Sequence, residues 1–163
     1  MKSEIITPKK NVIYLCCIAE PWIKVMQNLE SFGLKASYVV HWRDEKDLYL
    51  NSNIKQCFYQ TVEDAWHGKG FPNDCCPTAL DEEQLKTFAW YESQALIMMN
   101  RLDPTELRMP AGVRQYYFRD LVGYWLSIIK KRHIKLVVSP SIPHRVFDFA
   151  LYAACKIESI DYV

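Results

Sequence analysis

Four polar residues that lie close together in the sequence have side chains suited to binding or reacting with a ligand. Ser139, Ser141, His144 and Arg145 follow a short run rich in β-branched residues and precede a stripe of apolar residues at helical spacing. Two prolines in this stretch disfavour helix and central strand, so a loop must carry the four residues. Ligands of open α/β sheets bind beyond the carboxyl ends of the strands, so the sequence predicts a binding edge here.

The chemistry of these side chains is proton transfer and anion binding. An imidazole with an ordinary pKa of about 6.5 accepts a proton at neutral pH, so His144 is a candidate base. A guanidinium binds phosphate, so Arg145 is a candidate ligand contact. Each residue also has a structural interpretation, because His144 could cap the helix or bond the loop backbone and Arg145 could pair with Asp148.

Three further candidates follow the first two predicted strands. Glu20 is either a carboxylate that complements the start of a helix or a residue that faces a ligand. His41 and Trp42 could stack on and hydrogen-bond a sugar or a base, or they could cover the end of the sheet. We expect these side chains at the same edge as His144.

The cysteine and glycine spacings argue against two common kinds of site. The chain has six cysteines but no CxxC pair, so we predict no metal site and interpret the thiols as small buried hydrophobes, with an exposed loop pair at Cys75 and Cys76. The turn after the first strand has no glycine, so neither GxGxxG nor GxxxxGK is present. We therefore expect no cofactor to be held by this chain.

The elements that position these residues alternate between strand and helix. This order predicts an α/β fold, a doubly wound, mostly parallel Rossmann-like sheet with helices on both faces. Gly33 is predicted to end the first helix at positive φ, and residues 44–53 are predicted to be a connection. The predicted strands are residues 11–18, 34–42, 56–59, 136–138 and 160–163. The longer helices are predicted to begin at Pro21, after Asp81, after Pro110 and after the loop that ends at Pro143.

Composition limits the class of protein. The 163 residues suit a single domain, half of the residues are apolar, and the formal net charge is +1. We predict no membrane span and a cytoplasmic protein. The near-neutral charge gives no strong nucleic-acid signal. RNA binding through the basic run at residues 130–133 would require affinity that falls steeply with salt.

Three segments together resemble a known family. They are residues 80–104 (LDEEQLKTFAWYESQALIMMNRLDP), 116–138 (YYFRDLVGYWLSIIKKRHIKLVV) and 143–160 (PHRVFDFALYAACKIESI). Their marks are the MMNRLDP helix exit, the pair Tyr124 and Trp125, and Pro143-His144 followed by Phe147, Asp148 and Tyr152. The chain resembles the amino-terminal region of bacterial surface or capsular polysaccharide biosynthesis proteins of the glycosyltransferase-like GT-B type.

This resemblance implies an acceptor-side Rossmann-like domain. His144 would act as the catalytic base, and Glu20, His41, Trp42, Ser139, Ser141 and Arg145 would bind a carbohydrate or lipid-linked acceptor. A sugar nucleotide donor is implied for the full-length protein, in a carboxyl-terminal domain or second chain that this sequence lacks. The protein would be cytoplasmic, including a peripheral position at the inner membrane face. The alternative is a non-catalytic α/β binding or partner-docking module.

Two expectations concern packing. Glu92 falls on an apolar helix face and needs a cationic partner, for which Arg101, Arg114 and Arg119 are candidates. Without a second domain, apolar surface is expected to remain exposed and to favour a homo-oligomer. The aromatic residues expected in that surface are Trp22, Trp42, Phe147 and Tyr162.

Overall fold

The structure, a computed structural model, describes residues 10–17, 20–52, 54, 56–103 and 108–163. Five parallel strands form one sheet in the order β3-β2-β1-β4-β5. This arrangement confirms the predicted α/β, doubly wound, Rossmann-like fold. The strands are β1 (Lys10–Leu15), β2 (Leu34–His41), β3 (Phe58–Thr61), β4 (Ile134–Val138) and β5 (Asp161–Tyr162).

Helices cover both faces of the sheet. The helices α1 and α2 pack on one face, around Tyr14, Met26 and Tyr49, while α5 and α6 contribute to the larger core on the other face, which includes Trp125. The helix α4 packs against α5 and α6. The bounds are α1 (Glu20–Ser31), α2 (Lys46–Leu50), α3 (Val62–Trp66), α4 (Glu82–Leu102), α5 (Ala111–Lys131) and α6 (Val146–Ile157).

Several local predictions need correction. β1 ends at Leu15, so Cys16 and Cys17 lie beyond the strand, and Cys16 has a φ of 53°. Residues 44–53 were predicted to be a connection, but this stretch contains most of a 3-10 turn and the helix α2, which buries Tyr49. The cysteines are free, but Cys75 is buried and only Cys76 of the loop pair is exposed.

The predicted partner of Glu92 is Arg119. The Arg119 Nε donates to Glu92 Oε1 at 2.6 Å, and Nη2 donates to Oε2 at 3.1 Å. The basic run at the end of α5 is also partly paired, since Lys130 bridges Glu158 at 3.1 Å and Arg132 lies 3.9 Å from Asp74. Among the residues that the structure describes, no helix is long and apolar enough to cross a membrane.

The predicted last strand joins the sheet beside β4, but it covers only residues 161–162 of the predicted 160–163. β5 pairs in parallel with β4, with Asp161 opposite Leu136 and Tyr162 opposite Val137. The expectation of exposed aromatic residues is wrong for Phe147, which is 0% exposed because the core between α5 and α6 encloses it. Trp22, Trp42 and Tyr162 are partly buried. Self-association stays a prediction, to be checked by sedimentation across a concentration series.

Gly33 has the predicted left-handed backbone. Its φ is 83°, and its amide donates to Glu30 O at 3.0 Å just after α1 ends. We expect Gly33→Val to lower the free energy of unfolding by about 1 kcal/mol or more, because a β-branched residue is strained at positive φ. Urea unfolding measures this change. Gly112→Val is the control, since Gly112 has open space around it and no positive φ; an equal loss in both variants would contradict the explanation.

Candidate functional site

The carboxyl edge of the sheet has its topological switch point between β1 and β4. β1 continues through α1 to β2 on one side, and β4 continues through α6 to β5 on the other. The chain therefore leaves these two neighbouring strands in opposite directions. Ligand sites of doubly wound sheets form in the crevice at such a point, and the loop that carries His144 and Arg145 borders it.

Asp148 fixes the start of α6. Its Oδ1 accepts from the Arg145 amide at 2.8 Å, and its Oδ2 accepts from the His144 amide at 3.3 Å. Burial raises the pKa of Asp148 above its ordinary value, against the opposing effect of these two amides. The carboxylate therefore satisfies backbone donors at the helix start and holds the loop residues against α6.

The His144 ring is held through one of its two nitrogens. Nδ1 lies 3.0 Å from the Ile142 carbonyl oxygen and 3.7 Å from Asp148 Oδ2. A carbonyl oxygen can only accept, so Nδ1 carries the proton in this contact and the lone pair of the neutral ring is on Nε2. The side chain is 57% exposed. This arrangement leaves Nε2 available as a proton acceptor.

Arg145 contacts two tryptophan rings. Its guanidinium carbon lies 4.8 Å from the Trp42 ring centroid and 5.8 Å from that of Trp66. Cation–π contacts of this kind hold a guanidinium in place by about 0.5–2 kcal/mol while leaving its edges free to donate hydrogen bonds. The structure thus brings together Trp42, His144 and Arg145 from the predicted set, and it adds Trp66.

A cavity of about 250 Å³ opens beside these residues, and we call it the His144 cavity. Its walls come from the end of α3, the last turn of α4 and the start of α6. It combines cationic side chains, an indole and aliphatic groups, so it suits a ligand with both an anionic and an apolar or ring-shaped part. The lining residues are Trp66, Met98, Arg101, Leu102, His144, Arg145 and Val146.

A second cavity of about 450 Å³ shares Trp66, Leu102 and Val146 with the His144 cavity. Arg114 lies at its wall and is 1% exposed. Tyr117 closes the other side, where its hydroxyl donates to the Trp66 carbonyl oxygen and burial raises its pKa to about 12. The shared residues make the two cavities neighbours, so a ligand larger than a single ring could extend from one towards the other.

Ser139 and Ser141 line a different space. Their loop borders a cavity of about 620 Å³ whose other walls include Phe149, Tyr152 and Tyr162. The Ser139 hydroxyl donates to Ser141 O at 2.9 Å and accepts from the Ser141 amide at 3.4 Å. The two serines therefore brace the loop, and the described residues that line this larger cavity include neither a base nor a cation. The His144 cavity is therefore the candidate site.

The structure does not bring His41 and Glu20 into the His144 cavity. His41 is 3% exposed and packs near the rings of Tyr49 and Tyr59, with its Nδ1 2.8 Å from Trp42 O. Its environment is that of a residue covering the end of the sheet. Glu20 is exposed, pairs with Lys24 at 2.8 Å and lines a separate cavity beside α2.

The thiols near the carboxyl edge are poor nucleophiles. Burial raises the pKa of Cys16 and of Cys17 to about 12 in each case, so both thiols stay protonated at neutral pH. Within the described ranges, no group of three or more His, Cys, Asp or Glu side chains could hold a metal ion.

Sequence reasoning missed three residues of this site as functional. Asp148 had a local signal, since an acid three residues after the residue that caps the helix can accept from the backbone amide of that capping residue. Arg145 at the cap position concealed that signal because Ser, Thr, Asp or Asn is usual there. Trp66 and Arg101 had no local signal, because packing of α3 and α4 against α6 brings them in.

Comparisons of this chain with models of protein families, with curated proteins and with solved structures found no match.

Proposed function

We propose that this chain is the acceptor-side domain of a glycosyltransferase-like protein of surface polysaccharide biosynthesis, with His144 as its general base. The observation that carries the proposal is the state of the His144 ring, whose Nδ1 is engaged by Ile142 O at 3.0 Å while the side chain remains 57% exposed. The resemblance of the sequence to the GT-B type supports the class of reaction, and the cavity beside His144 supports an acceptor position there.

In this proposal the acceptor hydroxyl gives its proton to His144 Nε2. The hydroxyl oxygen forms a bond to the anomeric carbon of the donor as the bond from that carbon to the leaving phosphate breaks. The leaving group departs with the electron pair of the broken bond. Asp148, 3.7 Å from Nδ1, stabilises the imidazolium that results. The donor is a sugar nucleotide bound by a carboxyl-terminal domain or a second chain.

Aromatic and cationic walls fit the acceptor. Trp66 is 45% exposed and offers an indole face to a sugar ring. Arg145, held over Trp42 and Trp66, offers hydrogen-bond donors beside the base. A carbohydrate or lipid-linked acceptor meets both features, and a lipid-linked acceptor would place the cytoplasmic protein at the inner membrane face.

The decisive variant is His144→Asn in the full-length protein. An asparagine amide can replace the Nδ1 donor to the Ile142 carbonyl oxygen, but it has no basic nitrogen. We expect transfer of labelled sugar from UDP-glucose, UDP-galactose or GDP-mannose to membrane acceptors to fall by roughly 10²–10⁴-fold for whichever donor is active. Unchanged melting by circular dichroism would show that the variant is folded.

His133→Asn is the matched control for this experiment. His133 is exposed in the turn that precedes β4, at the opposite edge of the sheet, and asparagine tolerates its φ of 50°. The control should transfer sugar at the wild-type rate. Normal transfer by His144→Asn would eliminate the base assignment.

One observation favours the alternative of a non-catalytic binding module. The hydrogen bond from His144 to Ile142 O is also what a loop-bracing histidine would make. A binding module would bind acceptor glycans equally well with histidine or asparagine at position 144 and would transfer no sugar. The same pair of proteins therefore separates the two functions.

A further inference from the structure

We propose that the His144 cavity binds the phosphate group of a phosphate ester, between the guanidinium groups of Arg145 and Arg101. This inference rests on the proposed function and deepens it, because it gives the acceptor a phosphate beside the hydroxyl that reacts. The two arginines come from separate elements, Arg101 from the last turn of α4 and Arg145 from the residue before α6, and they line one cavity of about 250 Å³.

Arg145 is held in place by aromatic rings. Its guanidinium lies over the rings of Trp42 and Trp66, at 4.8 and 5.8 Å from their centroids, and it forms no salt bridge within the described part of the chain. Stacking leaves the hydrogen-bond donors on the edges of the guanidinium plane free. Those donors match the oxygens of a phosphate, which a guanidinium binds in a bidentate fashion.

Arg101 is the second cation of the cavity. It is exposed, and among the residues described it forms no salt bridge. The nearby acids are already engaged: Asp103 accepts from Arg114 and two amides, and Asp148 accepts from the amides of His144 and Arg145. No carboxylate is among the described residues that line the cavity. Two guanidinium groups therefore line the same space, and no described carboxylate in its walls neutralises them.

The start of α6 does not supply the anion site by itself. The Asp148 carboxylate already occupies the backbone donors of His144 and Arg145. The guanidinium groups must therefore provide the electrostatic attraction for the phosphate. The aliphatic side chains of Met98, Leu102 and Val146 line the same cavity and reduce the screening of this attraction by water. The rest of the ligand has room beside Trp66, where the neighbouring cavity of about 450 Å³ begins.

Calorimetric titration with inorganic pyrophosphate and with glycerol phosphate tests the site. We expect both to bind the wild-type protein, glycerol to bind undetectably, and Arg101→Gln and Arg145→Gln each to weaken phosphate binding by about tenfold or more. Arg101 is exposed, so its variant keeps the test valid if Arg145→Gln disturbs packing on the tryptophans. Lys135→Gln is the matched control, because Lys135 is an exposed cation on β4 that does not line this cavity.

Vesicles identify the source of the phosphate. Cosedimentation with phosphatidylcholine vesicles that contain phosphatidic acid, abolished by pyrophosphate and absent with phosphatidylcholine alone, assigns it to a lipid headgroup. Binding of glycerol phosphate without cosedimentation assigns it to a soluble ester, and either result supports the site. Equal affinities of Arg101→Gln and Lys135→Gln for pyrophosphate would overturn the proposed phosphate site. Because no transfer is measured, that failure leaves the result for His144→Asn untouched.

Discussion

Replacing Arg114 by methionine is expected to lower the free energy of unfolding by about 3–5 kcal/mol. The guanidinium is 1% exposed, and its donors are all directed to one short stretch of chain. Nε donates to Met109 O at 2.5 Å, Nη2 donates to Asp103 O at 2.7 Å and to Asp103 Oδ2 at 3.1 Å, and Nη1 donates to Asn100 Oδ1. Methionine would remove these bonds together and leave the Asp103 carboxylate, which is 15% exposed, with the Arg108 and Met109 amides as its remaining described donors.

Arg119→Met is the matched control for Arg114→Met. The substitution is the same and lies on the same helix, but the Arg119 side chain is 48% exposed, and its partner Glu92 is 14% exposed. Exposed ion pairs contribute about 0–1 kcal/mol, and the partly buried Glu92 places this pair above that range, so the control should lose more than a surface pair but less than Arg114→Met. Urea unfolding of the two variants gives the comparison, and similar losses would mean that the Arg114 network adds nothing beyond the pair of Arg119 with Glu92.

The pH dependence offers a second check on Arg114. Although desolvation opposes it, hydrogen bonds from the Met109 and Arg108 amides and the nearby Arg114 guanidinium lower the pKa of Asp103 below its ordinary value. The lowered pKa means that the stability from the charged Asp103 is present above the unfolded pKa of about 3.9 and is lost as pH falls through the folded value. The difference in free energy of unfolding between the wild type and Arg114→Met should therefore become smaller in that acidic range.

Continuous apolar runs and strong caps made most of the fold predictable. β1, β2 and β4 are short apolar runs between loops, which is typical of central parallel strands. The start of α4 followed from Asp81 and Gln84, whose predicted reciprocal bonds are present: the Gln84 amide donates to Asp81 Oδ1 at 2.8 Å and the Asp81 amide to Gln84 Oε1 at 3.1 Å. Interactions between residues close in the sequence determine these elements, so they could be predicted from the sequence pattern.

The short helices were harder to predict because tertiary contacts support them. In α2, Leu48 and Leu50 are exposed and only Tyr49 is buried, so no apolar stripe marks the helix. In α3, Thr61 accepts from the Asp64 amide at 3.0 Å, a capping signal whose helix is only five residues long. Such helices are stabilised by the packing of a few buried side chains, such as Tyr49 in α2, against the rest of the fold.

The site was predictable only where it lies on one segment. His144 and Arg145 are neighbours in the sequence, and their place after β4 was sufficient to put them at the carboxyl edge. Glu20 and His41 also follow strands, but the position of a strand end does not determine whether a side chain turns towards the crevice or into the core. His41 is buried beside Tyr49 and Tyr59, and Glu20 pairs with Lys24.

Trp125→Ala is expected to destabilise the protein by about 3–5 kcal/mol. Trp125 is 0% exposed at the centre of α5, with Tyr38 and Phe71 packed edge-on at 5.6 and 5.5 Å between ring centroids. Its indole Nε1 donates to the Phe147 carbonyl oxygen at 3.3 Å. The residue thus fills the core and also ties α5 to the first turn of α6, the turn that carries Asp148.

Two further substitutions divide the effect of Trp125 into its parts. Trp125→Phe keeps most of the apolar volume and loses the hydrogen bond to Phe147, so it should cost about 1–3 kcal/mol, less than alanine. Trp90→Ala removes an indole that is 59% exposed on α4 and should cost about 1 kcal/mol or less. Chemical unfolding ranks the three variants. If Trp125→Ala were no worse than Trp90→Ala, Trp125 could not be the residue that anchors the turn beneath His144 to the core.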